Sequence, residues 1–163
     1  MRYAQIRKKD IANGPGIRVS LFVQGCHFHC KNCFNSDTWD FNGGQEFKQE
    51  DLDRLLEYGK DVHVCGLSVL GGEPLNERNV DGVVEVCKAF REKLPDKSIW
   101  LWSGYTYENL NDNQRRVLDY LDVLVDGQFV DELKDFRLKY RGSSNQRVID
   151  AKKSSINNIV SMI

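Results

Sequence analysis

Long hydrophobic runs are missing from this sequence. The amino terminus, MRYAQIRKKDIANGPG, has no apolar stretch of the kind a secretory signal needs. No window elsewhere approaches the ~20 apolar residues of a membrane span, so the chain is expected to be cytoplasmic and to make no use of a membrane. A surplus of charge of either sign is missing too. The 23 lysines and arginines face 24 aspartates and glutamates, which leaves no general field to gather nucleic acid or an acidic lipid surface. Internal repeats and low-complexity segments are absent as well. The 163 residues suffice for one hydrophobic core of ordinary size, and a single domain over 1–163 is expected.

Cysteine, by contrast, is concentrated. Five are present, and three of them, Cys26, Cys30 and Cys33, fall within the stretch GCHFHCKNCFN. In a reducing compartment such a cluster holds a metal or performs redox chemistry more often than it forms structural disulfides. Thiolates spaced C-x3-C-x2-C can wrap a four-iron, four-sulfur cube from one loop, each sulfur on its own iron, leaving one iron without a protein ligand. Two other readings use the same residues. One is a Cys3His zinc site completed by His27 or His29, and the other a Cys30/Cys33 dithiol. Structural zinc sites usually draw on two separated ligand pairs, and no second Cys or His pair occurs in the chain. Cys65, inside an apolar run, and Cys87, on the apolar face of a helix-spaced segment, are expected in the core, and His63 is expected to be structural.

Around the cysteines the pattern alternates between strand and helix. Ile17 to Val23, His63 to Leu70, Ile99 to Trp102 and Val123 to Val125 are apolar, strand-like runs, each closed by a polar or glycine-containing turn. Helical spacing fills the intervals: Phe47 to Leu56, the segment from Val80 to Leu94 that stops at Pro95, and Asn113 to Leu121. A weakly patterned stretch through RGSSNQRVID follows. Strands joined by helices argue for parallel βα units. Four or five units in a chain far shorter than the ~250 residues of a closed barrel point to an α/β fold with an incomplete, open parallel β/α barrel. Ligands of such folds collect beyond the carboxyl ends of the strands, where GCHFHCKNC, GGEP, SGY and DGQ all fall.

CHFHCKNC resembles the cluster-binding motif of the radical S-adenosylmethionine (SAM) enzymes, and LGGEPL, Leu70 to Leu75, stands where that superfamily has its glycine-rich cofactor loop. More narrowly, NGPGIR (13–18), LVDGQF (124–129) and RGSSNQR (141–147) resemble the activating proteins of anaerobic, class III ribonucleotide reductases. The likeness covers nearly the whole chain. It implies a [4Fe-4S] cluster on Cys26, Cys30 and Cys33, with the amino and carboxylate groups of SAM on the open iron. Asn32, Cys33, Phe34, Gly71, Gly72 and Glu73 then become the candidate SAM contacts. Gly71 and Gly72 would offer backbone carbonyls to the ammonium, Glu73 would add charge complementarity, and Pro74 would stiffen the turn. The residue before the third cysteine is commonly aromatic in the superfamily and here is Asn32, so its backbone and the Phe34 side chain are expected to take over the adenine contact. Ser103, Tyr105 and Asp126 end neighbouring strands and are open to both a site role and plain turn chemistry.

The activity implied by the resemblance is an activase. An external reductant, reduced flavodoxin or similar, supplies one electron, SAM is cleaved to methionine and a 5'-deoxyadenosyl radical, and that radical takes a hydrogen atom from a glycine Cα of the reductase catalytic subunit. No acid–base pair is required, so no catalytic side chain is assigned. A backbone target must enter bodily, which a gap in the barrel would permit. The alternatives are an activase of another glycyl-radical enzyme such as a formate-lyase, a small-molecule radical enzyme, or a non-catalytic zinc-binding module. The carboxyl-terminal region, where basic residues outnumber acidic ones from 131 onward, suits a solvated face or a protein-docking one.

Overall fold

A computed structural model describes residues 1–163. Seven strands form one open sheet: β1 (Arg2–Asp10), β2 (Ile17–Val23), β3 (Gln45–Glu46), β4 (Val64–Gly71), β5 (Ser98–Ser103), β6 (Val123–Asp126) and β7 (Arg147–Asp150), in the order β3-β1-β2-β4-β5-β6-β7. The central block β2-β4-β5-β6 is parallel. Both flanks are antiparallel, β1 and β3 on one side and β7 on the other. Helices α1 (Gln49–Gly59), α2 (Val80–Lys93) and the short α3 (Asp112–Arg115), which runs on as a 3-10 turn over Arg116–Asp119, make the crossovers. None of them is long and apolar enough to cross a membrane.

Register explains the core. Leu21, Val69, Leu101, Leu124 and Ile149 lie side by side across five strands, all fully buried. Alternation along a strand sends this row to the helix side, where it meets Leu55 of α1 and Val83, Cys87 and Phe90 of α2. The opposite face carries Trp100, Val123, Val125 and Val148, with Trp102 and Tyr140 packed against them. Arg18 also points to that face. Fully buried and without a carboxylate partner, it donates to Ser68 Oγ, Ser98 Oγ and the carbonyls of Pro15, Leu67 and Ser98. Burial lowers its pKa to about 10.

The sequence reading differs from this architecture in four places. The sheet is parallel only at its centre. β1 escapes detection because its charged residues break any apolar run, with Tyr3 and Asp10 alone fully buried, and the expected helix over Asn113–Leu121 is α3 plus the 3-10 turn. Cys87 is buried as expected, but Cys65 is exposed. It stands second in β4, on the rim away from the cysteine loop, with its sulfur against Gly16.

Candidate functional site

The parallel strands end together, and the loops that leave them close around one cavity of about 560 Å³. Cys26, Cys30 and Cys33 reach it from the loop after β2, and Gly71, Gly72 and Glu73 from the end of β4. Ser103 and Gly104 come from β5, and Gly127 to Phe129 from β6. The four turns that the sequence placed on one rim thus line one space. A segment from Asp135 to Gln146, lacking regular structure, forms the remaining wall.

The cysteine loop is fixed by backbone bonds. Gly25 and Cys26 donate to the carbonyls of Thr38 and Trp39, and Cys33 N donates to Cys30 O at 3.1 Å. His29 (φ +49°) and Asn32 (φ +57°) adopt left-handed conformations that turn the chain between the cysteines. Asparagine enters that region several times more readily than most side chains, so Asn32 answers a backbone requirement. Its side chain is exposed and stands outside the cavity lining. The thiols have polar company of their own. The backbone of Phe28 and His29 favours charge on the Cys26 sulfur, Asn35 N donates to Cys33 Sγ at 3.4 Å, and Gln128 Oε1 lies 3.9 Å from Cys30 Sγ. Burial pushes the Cys26 and Cys30 thiols up despite these bonds.

That donor chemistry fits an iron–sulfur cluster. All three cysteines line the cavity from one loop. Each of the three sulfurs could take a separate iron of such a cluster. The histidines are engaged elsewhere: His27 Nδ1 is 2.9 Å from Asn76 Nδ2, and His29 stacks on Trp39 at 4.5 Å.

Glu73 lines the cavity with its carboxylate bonded inside the chain. Fully buried, it accepts from Gly104 N at 2.6 Å, Leu75 N at 2.8 Å and Ser103 Oγ at 2.8 Å, tying the loop after β4 to the end of β5. Ser103 is thereby committed to Glu73. Asp126 is committed to Arg147 and to Tyr107 N, and Tyr105 packs on Phe28 outside the lining. Phe34 is exposed at the cavity mouth, its ring 5.0 Å from that of Phe129 and seated over Gly142. Sequence reasoning passed over Trp102, Gln128, Phe129, Tyr140 and Arg141, all of which line the cavity. The DGQF and RGSSNQR motifs marked three of these five without revealing what they faced.

Burial pushes the Glu73 carboxyl up to about 7, against its three hydrogen bonds. Between its ordinary 4.5 and that value the folded protein holds more protons than the unfolded chain. Its contribution to stability is therefore complete below pH 4.5 and lost as pH rises through 7. The loss amounts to about 3 kcal/mol across the window. Urea titrations of the cluster-free protein at pH 5 and 7.5 should show it, with Glu73→Gln removing most of the difference; an unchanged difference would contradict the assignment.

Comparison with known proteins adds a family. Residues 12–149 match the 4Fe-4S single cluster domain family. The chain is 45% identical to the anaerobic ribonucleoside-triphosphate reductase-activating protein of Salmonella typhimurium, over 91% of this chain and 97% of that one. It is 43% identical to the protein of the same name from Vibrio cholerae (90% and 96% covered) and 37% identical to that of Enterobacteria phage T4 (91% and 93% covered).

Proposed function

Because the chain belongs to the family of anaerobic ribonucleoside-triphosphate reductase-activating proteins and carries its 4Fe-4S domain, we propose that it is a radical SAM activase that installs a glycyl radical on the reductase catalytic subunit. In this reading 1–163 is one radical SAM domain, an open β/α barrel whose parallel strands β2, β4, β5 and β6 carry the site. It works in the cytoplasm with reduced flavodoxin or a similar one-electron donor. The observation that carries the reading is the convergence of three thiols and the Gly71-Gly72-Glu73 loop on one cavity at the carboxyl ends of these strands.

Cys26, Cys30 and Cys33 would hold a [4Fe-4S] cluster. When bound, the cluster and SAM supply reductive cleavage of a carbon–sulfur bond and the 5'-deoxyadenosyl radical that abstracts hydrogen from a glycine Cα. The protein's part is to bind, orient and keep out water. Phe28, Trp39, Leu70, Trp102 and Phe129 give the cavity apolar walls. The backbone at Cys26 and the amide aimed at Cys33 stabilise charge on sulfur, and Glu73 fixes the loop after β4 to β5. Phe34, Phe129 and the Asn32 backbone would meet the adenine, and Gly71 and Gly72 the ammonium.

Anaerobic reconstitution with iron and sulfide tests this. A brown protein that forms 5'-deoxyadenosine on reduction, and a glycyl radical on the reductase by electron paramagnetic resonance, are expected. A colourless protein holding one zinc would favour the interaction module, and a radical formed only on a formate-lyase would move the substrate.

A further inference from the structure

One charged cavity residue has a donor atom with no partner of its own in the chain. Of the side chains lining the cavity, Arg141 alone carries a positive charge. The turn that presents it is tightly built. Gln146 Oε1 accepts from Gly142 N at 2.9 Å and Ser143 N at 3.1 Å, while its Nε2 donates to Gly127 O at 2.9 Å. Asn145 Nδ2 donates to Gln128 O at 2.8 Å, and Val130 N to Ser143 Oγ at 3.2 Å. These bonds latch the turn onto the loop after β6, beside Cys30's neighbour Gln128. Arg141 itself is bound only through Nη1, at 3.3 Å from Gln146 O, and its Nε is buried with no partner.

A buried donor without an acceptor is rare in folded proteins and calls for an explanation such as a missing ligand. Guanidinium matches carboxylate in charge and fork geometry. Asp135, an acid in the lining, is already paired with Arg137 at 2.9 Å, and Glu73 is occupied by its own three donors. Asp131, whose buried Oδ1 also lacks a hydrogen-bond partner, stands outside the lining and 3.6 Å from Lys134 Nζ, so no acid lining the cavity is free for Arg141 and a ligand entering the cavity would supply the acceptor. The substrate inferred above carries one anionic group, its α-carboxylate. We propose that Arg141 is the positioning residue that binds this carboxylate, holding the amino acid end of SAM in place from the turn that is latched onto the loop after β6. This rests on the function proposed above.

The test is equilibrium dialysis of the reconstituted protein, without reductase partner, against SAM and against decarboxylated SAM, which lacks the carboxylate. Arg141→Gln should weaken SAM by about 10- to 100-fold, the loss of one charged hydrogen-bonded contact, and leave the decarboxylated ligand unchanged. Equal weakening of both ligands, the mark of a merely structural role, or weakening of neither, would overturn the proposal. Should Arg141→Gln take up less iron than wild type, Arg141→Lys supports the same comparison, with a smaller loss confined to SAM. Wild-type protein that loads its cluster but binds neither ligand would instead sink the proposed function, and the inference with it; that failure is visible before any substitution is made.

Discussion

Alanine at Cys26, Cys30 or Cys33 should reduce 5'-deoxyadenosine formation by at least about 1,000-fold, equivalent to ~4 kcal/mol in the barrier, with iron content falling in parallel. The three cysteines line one cavity from one loop, and no fourth thiol is within reach to replace a lost ligand. Cys87 is fully buried in α2 with its thiol pushed up to about 12 by desolvation, which makes it an apolar filler. Cys65 lies at the amino end of β4, away from the loop. Cys65→Ala should change neither cleavage nor iron, and Cys87→Ala should cost about 1 kcal/mol or more of stability through its cavity while cleavage stays within twofold. His27→Ala and His29→Ala should likewise retain the cluster, because a Cys3His zinc site would need one of them and an iron–sulfur site needs neither. Cleavage that survives Cys30→Ala would remove the assignment, and so would iron lost with either histidine.

What the sequence revealed of this fold follows from burial. A parallel strand buried on both faces must be apolar throughout, and Ile17 to Val23 is nearly so; the run and β2 have the same ends. α2 shows its apolar spacing because one stripe of it meets the sheet. β1 has no such signature. It is held by pairing with β2 and β3 while lysines and arginines face solvent, so its strand character lies in the partner. Cys65 was misplaced for a related reason: an apolar run marks the strand but not where the strand emerges from cover. The site divides the same way. Cysteine spacing is local chemistry and was legible, whereas the wall from Asp135 to Gln146 is defined by side-chain bonds to Gly127 and Gln128. Arg141 became visible only once that contact existed.

Glycine in the GGE turn has a reason that the sequence did not disclose, and Gly72→Ala should expose it. The expectation from sequence was that Gly71 and Gly72, having no side chains, let their backbone approach a ligand and offer it carbonyl oxygens. In the structure their neighbours are backbone. Gly72 N donates to Val23 O at 2.9 Å and Glu73 N to Gly25 O at 2.8 Å, pressing this turn against the start of the cysteine loop. A Cβ on Gly72 would stand 2.4 Å from Gly25 O and 2.9 Å from Thr38 O, and one on Gly71 (φ +111°) 2.7 Å from Val23 N and O. Neither contact can be relieved by rotating a side chain. Gly72→Ala must therefore either strain the turn or move Gly25, and Cys26 with it. The expected cost is about 3 kcal/mol, the upper part of the range for overpacking, which lowers Tm by about 6 to 12 °C in a chain of this size and reduces iron uptake on reconstitution. Two alanine substitutions calibrate the effect. At Gly127 (φ +99°) the nearest atom to a Cβ is 3.6 Å away, so only the left-handed backbone resists, at about 1 to 2 kcal/mol. At Gly104 the obstacle is the Phe28 ring at 2.7 Å, a side chain that can swing aside. Gly72→Ala should exceed both in lost stability and should be the most damaging of the three to iron content. If it matched Gly127→Ala in stability and kept its iron, the two loops would not be braced against each other, and backbone approach to the ligand would again be the better reason for the glycines.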